Sequence, residues 1–275
     1  MENFISRSYL FVPANRPERF DKACATNADV VIIDLEDAVP ASEKESARKA
    51  LKAWLSPEKS VLVRINSADS EWFSEDLSLC KMPGIAGIVL PKAERIDDLA
   101  VIAHAGAEII LPLIESAHGI SNVNALARSP RVQRLLFGSI DFSLDLGITE
   151  GHQELLYFRS TLVLASRVAG IQAPVDGVTT SIDDIDAIRN DTQQARRLGF
   201  GGKLCIHPKQ VNYVNEGFDP SATELSWAKR VLEAASTANG AAVAIDGKMV
   251  DRPVMLLAQR ILSDAERRSR PQKNT

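Results

Sequence analysis

The sequence predicts an α/β protein with a (β/α)8 barrel, or TIM barrel, followed by a C-terminal helical extension. Eight short apolar runs alternate with stretches of helical spacing over the first 208 residues. The length of 275 residues suits one such barrel, which typically needs about 250 residues. Four of the runs end in a charged residue, namely Asp34, Arg64, Glu115 and Asp141. Barrel enzymes carry their catalytic groups at the ends of their strands, so this pattern indicates a barrel with an active site.

The predicted strands are rich in β-branched and aliphatic residues. The second is the clearest, because residues 30–33 form a continuous apolar run, as expected for a strand buried on both faces. A doubly wound sheet is the alternative architecture, but it would usually have fewer strands. The strands are expected at residues 8–13, 30–36, 61–66, 87–92, 108–116, 134–141, 173–178 and 201–208.

Stretches of helical spacing lie between these strands. The helix over 42–55 opens with Ser42 and Glu45, the spacing of a capping box. The helix over 182–198 ends at Gly199, the residue type that most often follows a helix. The other helices are expected at residues 17–28, 96–106, 119–127 and 154–169.

The barrel is expected to occupy residues 1–220 and the C-terminal helical extension residues 221–275, together forming one domain. In the extension, a helix over 221–239 precedes a glycine-containing turn over 240–252, and a second helix starts near Pro253. We expect the extension to pack on the barrel mouth or on a neighbouring subunit.

Composition limits the partners. A net charge of −4 gives no reason to expect nucleic acid or an anionic membrane as a partner. No apolar run approaches the ~20 residues of a membrane span, and the N-terminus lacks the pattern of a signal peptide. The three cysteines are far apart and odd in number, which is typical of a reducing compartment. We therefore expect a cytoplasmic protein.

The charged strand ends predict a metal site. Glu115 and Asp141 end successive strands, which in a barrel are neighbours about 5 Å apart. Two such acids could share one Mg²⁺ ion, which prefers one or two protein carboxylates and fills its other positions with water and substrate oxygens. Arg64 would offer a planar fork to a substrate carboxylate or carbonyl. A cation opposite an arginine can stabilise an enolate or alkoxide while a carbon–carbon bond breaks. The alternative for each residue is an ion pair that only fixes loops at the barrel mouth.

Motifs spread over residues 7 to 262 resemble the citrate lyase beta-subunit-like family of the HpcH/HpaI aldolase superfamily. They occur in family order and read RSYLFVPANRPERFDKA, DLEDAVPASEKESAR, VRIN, VLPKAE, IESAHG, GSIDFSLDLG and GKMVDRPV. The resemblance implies a Mg²⁺-dependent TIM-barrel enzyme that assembles as a homo-oligomer, a trimer or hexamer. It also implies cleavage of a 3-hydroxy-3-carboxyalkyl-CoA thioester, such as malyl-CoA or citramalyl-CoA, to acetyl-CoA and a 2-keto acid such as pyruvate, glyoxylate or oxaloacetate.

The resemblance also implies roles for individual residues. Arg64 would bind the keto acid, while Glu115 and Asp141 would hold the metal, with Glu115 also against the substrate. Asp251 would protonate the thioester enolate, from a neighbouring subunit in the stand-alone lyases. The base for the substrate hydroxyl is left open between Asp37 and a hydroxide held by the metal.

Two further cations are candidate substrate ligands. Lys92, at the end of the fourth strand, could pair with a substrate phosphate or carboxylate, or less plausibly form a Schiff base. Arg16 could meet the phosphates of CoA, although a solvated helix charge explains it equally well. Ala14 and Ile140 stand where the family usually has glycine and an acid.

Other functions are compatible with the same residues. The chain could be the beta subunit of a citrate lyase complex acting on a citryl carrier-protein thioester. It could also be an acyl-CoA thioesterase, if water attacks the thioester. A barrel that only binds or assembles is disfavoured by the retained Arg64, Glu115, Asp141 and Asp251.

Overall fold

The structure, a computed structural model, describes residues 6–149, 153–237, 243–245 and 248–269. The chain divides into two compact units, and the boundary between them in the sequence falls between Phe218 and Asp219. All three cysteines are free. Among the described helices, none combines the length and the apolar character that crossing a bilayer requires.

The first unit is built on a closed barrel of eight parallel strands, in which each strand pairs with the next and the eighth pairs with the first. The predicted barrel is therefore confirmed. The strands are β1 Ser8–Pro13, β2 Val30–Asp34, β3 Val61–Arg64, β4 Ile85–Leu90, β5 Ile110–Ile114, β6 Arg134–Phe137, β7 Gln172–Asp176 and β8 Gly202–Cys205.

Helices surround the barrel and cover its outer face. Outward-facing strand residues such as Ile33 and Val63 pack with helix residues such as Leu51 and Leu99 in one large apolar cluster. The helices are α1 Phe20–Cys24, α2 Lys44–Trp54, α3 Phe73–Asp76, α4 Ile96–His104, α5 Ala117–Ser121, α6 Val123–Ala127, α7 Ser139–Leu146, α8 Leu156–Ala169, α9 Ile185–Leu198 and α10 Pro208–Phe218.

Two predicted helices have different boundaries in the structure. A 3-10 turn over Ala41–Glu43 delays α2 to Lys44, so the expected capping box does not form and Glu45 instead pairs with Lys49. The helix expected over 17–28 is a 3-10 turn followed by the short α1. It stops early because the Thr26 hydroxyl donates to the Ala23 carbonyl and accepts the Ala28 N–H, a local alternative to helical bonding.

The second unit contains two helices and a hairpin. Its helices are α11 Ala222–Thr237 and α12 Arg252–Ser269, close to the predicted positions. Strands β9 Val243–Ile245 and β10 Lys248–Val250 pair antiparallel between them, where the sequence predicted only a turn. Ala228, Val231, Val250 and Ala258 form the small core of this unit.

Candidate active site

The charged strand ends point into the barrel because of strand periodicity. Ile32, Leu62 and Leu113 lie in the apolar cluster that fills the lumen. Side chains alternate along a strand, so residues two positions further on face the same way. Those residues, at the carboxyl ends of their strands, are Asp34, Arg64 and Glu115. The interior of the barrel is thus apolar up to its last layer, where it becomes charged.

Arg64 is held in place by carboxylates on both sides. It is the register partner of Asp34 on β2, and its Nε and Nη2 donate to the two oxygens of Asp34 at 2.7 and 2.6 Å. Its Nη1 lies 2.9 Å from Oε2 of Glu36. Burial disfavours the guanidinium charge, but the paired carboxylate of Asp34 outweighs it and raises the pKa of Arg64 further. Arg64 is therefore a permanent, oriented cation, and its main partner is Asp34, the charged residue at the end of the neighbouring strand.

Glu115 is 3% exposed and is also positioned by the backbone. Its Oε1 accepts the N–H of Lys92 at 2.7 Å. Lys92 has φ +47°, in the left-handed region that lysine rarely adopts, so this bond depends on a strained backbone conformation. Gly138 follows β6 next to Glu115, and a Cβ there would overlap the Glu115 carboxylate. The strained lysine and the glycine together create the space for this acid.

The charge on Glu115 is poorly compensated. Burial raises its pKa to about 8, and the neighbouring carboxylates of Glu36 and Asp141 add to that shift, while Arg64 opposes it. Glu115 and Asp141 also line the same cavity. A cation added nearby would favour the charged form of this buried carboxylate.

Asp141 reaches the site by a different route from the one predicted. The sequence indicated a strand over 134–141, but β6 ends at Phe137 and Asp141 lies in the first turn of α7. An acid in the first turn of a helix interacts favourably with the exposed N–H groups there. The strand prediction failed because the change from strand to helix happens within one residue, Gly138.

These residues share one cavity of about 380 Å³ at the carboxyl end of the barrel. Arg64, Glu115 and Asp141 all line it, as does Asp37, whose side chain is 57% exposed and 3.7 Å from Nη1 of Arg64. The apolar part of the lining comes mainly from Phe11, Pro13, Leu113, Phe137, Val178, Leu204 and Ile206.

Two lysines support the loop after β2. Lys92 Nζ donates to Oε1 of Glu36 at 2.8 Å, so this amine holds a neighbouring acid. The buried Lys44 donates all three protons of its amine, to the carbonyls of Leu35 and Glu36 and to Oδ1 of Asn66, each at 2.7 Å. Sequence reasoning missed Lys44, because only the fold brings the start of α2 under this loop.

Two other residues singled out in the sequence, Arg16 and Ala14, are not part of the cavity lining. Arg16 is exposed and precedes a 3-10 turn. Ala14 is fully buried, so its methyl group lies in the core. In the second unit, Asp251 accepts the N–H of Val254 through Oδ1 at 3.2 Å and so caps α12.

The site fits a divalent cation of the magnesium type. Five carboxylates, from Asp34, Glu36, Asp37, Glu115 and Asp141, gather near Arg64 and Lys92, and the buried amine of Lys44 lies under the loop that carries Glu36. Within the described residues, no group of three or more His, Cys, Asp or Glu side chains is arranged to hold a metal. Glu115 and Asp141 thus offer two carboxylates and leave further positions for water and substrate, which is the coordination that Mg²⁺ prefers.

Comparison with known proteins decides the family. The family model for HpcH/HpaI aldolase/citrate lyase matches residues 7–208. The chain belongs to this family.

The HpcH/HpaI relatives match along nearly the whole chain. A citrate lyase subunit beta-like protein of Deinococcus radiodurans is 36% identical, over 94% of this chain and 96% of its own. A (3S)-malyl-CoA thioesterase of Cereibacter sphaeroides is 34% identical, over 94% of each chain. The structure of CitE from Mycobacterium tuberculosis, in complex with magnesium, acetoacetate and coenzyme A, superposes with a TM-score of 0.86 at 34% identity, over 95% of this chain and 98% of that one.

Two of the CitE structures contain magnesium, one with acetoacetate and coenzyme A and the other with pyruvate. The HpcH/HpaI family is a family of enzymes that includes both lyases and thioesterases, and this chain shares its barrel.

Proposed function

We propose that this chain is a Mg²⁺-dependent carbon–carbon lyase. It would cleave a 3-hydroxy-3-carboxyalkyl-CoA thioester of the citramalyl-CoA or malyl-CoA type to a 2-keto acid and acetyl-CoA. The observation that supports this is one cavity in which a fixed guanidinium, Arg64, faces the carboxylates of Glu115 and Asp141. The guanidinium of Arg64 and a metal ion held by Glu115 and Asp141 would place two positive charges in one small cavity. That arrangement suits a substrate with an anionic group next to the bond that breaks.

Glu115 and Asp141 would hold the metal. The bound Mg²⁺ would act as a Lewis acid on the substrate oxygens, which lowers the energy of negative charge developing there. The raised pKa of Glu115 supports this assignment, because an added cation would relieve the energetic penalty of its ionisation.

The side chains of the barrel would bind and orient the substrate. Arg64 uses Nε and one N–H of Nη2 on Asp34, and its Nη1 lies beside Glu36, so the second N–H of Nη2 and one N–H of Nη1 remain to bind the substrate carboxylate. Asp37 lines the cavity and is the candidate to accept the hydroxyl proton. As that proton leaves, the hydroxyl carbon becomes the keto carbon and the electrons of the broken bond form the thioester enolate.

Protonation of the enolate completes acetyl-CoA. We assign this step to Asp251, whose Oδ1 caps α12 and whose side chain is partly exposed. Delivery of Asp251 from a neighbouring subunit of a homo-oligomer is part of the proposal.

Two related functions compete with the lyase. Thioester hydrolysis is supported by the relatives named (3S)-malyl-CoA thioesterase, at 34% identity. Action on a carrier-protein thioester is supported by the citrate lyase subunit beta of Leuconostoc mesenteroides, also at 34% identity.

One assay separates these functions. The purified chain is incubated with citramalyl-CoA or malyl-CoA and Mg²⁺, and keto acid, acetyl-CoA and free CoA are measured separately. A lyase yields keto acid and acetyl-CoA in equal amounts, and a chelator abolishes both products. Free CoA together with intact hydroxy acid would indicate a thioesterase. Activity on a citryl carrier-protein thioester alone would indicate a citrate lyase subunit.

A further inference from the structure

The cavity has an apolar side that the chemistry above does not use. Val178, which follows β7, and Leu204 and Ile206, on and after β8, form what we call the apolar wall. In the closed order of eight strands, β7 lies four strands from β3, so the apolar wall stands across the barrel from Arg64. The described lining residues on and after β7 and β8 are thus all apolar, whereas Arg64, Glu115 and Asp141 line other parts of the cavity.

The apolar wall offers aliphatic surface at the cavity mouth. Leu204 is buried in the lumen, whereas Ile206, two residues later, is 41% exposed. Burial of an aliphatic side chain is favourable in proportion to the area removed from water. An isoleucine that lines a cavity and stays partly exposed therefore supplies binding energy to an apolar group of a ligand.

The apolar wall is held in a fixed shape by one buried side chain. Gln210 of α10 is 1% exposed, and its Oε1 accepts the N–H of Ile206 at 2.9 Å. Its Nε2 donates to the carbonyls of Thr179 and Ser181 at 2.8 and 2.9 Å. Gln210 therefore ties the segment after β8 to the segment after β7, so the wall is formed before a ligand arrives.

We propose that the apolar wall binds the alkyl substituent on the hydroxyl-bearing carbon of the substrate. This inference rests on the proposed lyase function and names its substrate class. With the substrate carboxylate on Arg64, the carbon that becomes the keto carbon lies between Arg64 and the wall, and its remaining substituent faces Val178 and Ile206. A methyl or ethyl group there is favourable, and a hydrogen leaves the wall uncovered. A second carboxylate would face the aliphatic side chains of Val178 and Ile206, with no cation among the described residues that line the wall. The keto-acid product is then pyruvate-like rather than glyoxylate-like or oxaloacetate-like.

The test compares citramalyl-CoA with malyl-CoA, which differ by one methyl group. One methylene in an apolar pocket changes kcat/KM by about 10- to 200-fold, so we expect at least a roughly 10-fold preference for citramalyl-CoA. Ile206→Ala should reduce that preference several-fold, with Ile206→Val in between. The matched control is Ile96→Ala, the same substitution at a 51%-exposed isoleucine on α4, outside the cavity lining.

Calorimetry with Mg²⁺ provides a second readout without CoA. Pyruvate should bind more tightly than glyoxylate or oxaloacetate, and Ile206→Ala should weaken only pyruvate binding. Equal use of both thioesters, with a ratio unchanged by Ile206→Ala, would overturn the wall assignment but leave the lyase intact. A uniform rise in KM for every CoA ester would also overturn it, because the wall would then contact the CoA portion. If neither thioester is cleaved and no keto acid binds, the proposed lyase function itself fails.

Discussion

Glu115→Gln should stabilise the metal-free protein at neutral pH. The pKa of Glu115 is raised from an ordinary 4.5 to about 8 by burial and by the charges of Glu36 and Asp141. The unfolded chain therefore releases this proton near pH 4.5, whereas the folded chain keeps it until about pH 8. The stability associated with Glu115 is thus complete below pH 4.5 and is lost progressively as the pH rises to about 8.

The size of this effect follows from the pKa difference. Each pH unit in that interval is worth about 1.4 kcal/mol, so the wild type should lose about 3 kcal/mol by pH 7 relative to acid conditions. Glutamine has the shape of the protonated acid and can still accept the Lys92 N–H, but it has no proton to lose. Glu115→Gln should therefore be about 3 kcal/mol more stable at pH 7 without metal, which corresponds to roughly 5 to 10 °C in Tm.

The assay is denaturant unfolding of both proteins in chelator at pH 5 and at pH 7.5, then in excess Mg²⁺. The exposed Glu71→Gln is the matched control, because it removes one carboxylate away from the cavity. Mg²⁺ at about 100 times its Kd should stabilise the wild type by about 2.7 kcal/mol and Glu115→Gln by much less. Parallel pH curves for wild type and Glu115→Gln would refute the reasoning about burial. Equal stabilisation by Mg²⁺ would refute the assignment of Glu115 as a metal ligand.

Three other changes test the proposed site. Asp141→Ala should lower Mg²⁺-dependent turnover by at least about 100-fold, because even residues that only hydrogen-bond to metal ligands contribute 10- to 100-fold. Normal turnover by a variant with an unchanged circular dichroism spectrum would contradict this role. Asp251→Asn should leave the Mg²⁺ affinity measured by calorimetry unchanged and lower kcat by about 100-fold or more, as expected for loss of a general acid. Wild-type kcat would remove Asp251 from the mechanism. Gly138→Ala should weaken Mg²⁺ binding measured by calorimetry, because the new methyl group displaces the Glu115 carboxylate; unchanged affinity would mean that Glu115 has room to move.

The order of strands and the inward direction of their last residues could be predicted from local pattern. Residues 30–33 are apolar without interruption, and Asp34 follows at the position that alternation directs into the lumen. The same rule places Arg64 and Glu115, which is why their convergence in one cavity could be expected before any coordinates.

For Asp141 and Lys44, prediction failed because the deciding contact is not local. Asp141 was placed on a strand, although helix α7 begins right after Gly138, whose missing Cβ makes room for Glu115 from the neighbouring strand. A 3-10 turn forms where the sequence predicted a capping box at Ser42. Lys44, in the same segment, donates from its amine to the Glu36 carbonyl in the loop after β2. The hairpin of β9 and β10 pairs two three-residue strands, too short to show an alternating pattern.

The sequence by itself determined the barrel and the inward-facing charges, because strand alternation and apolar burial are properties of neighbouring residues. Only the tertiary structure decided that Asp34 clamps Arg64, that a left-handed Lys92 holds Glu115, and that burial raises the pKa of Glu115. Those outcomes depend on which strands lie side by side and how much water they exclude. Both are properties of the closed barrel and not of any one segment.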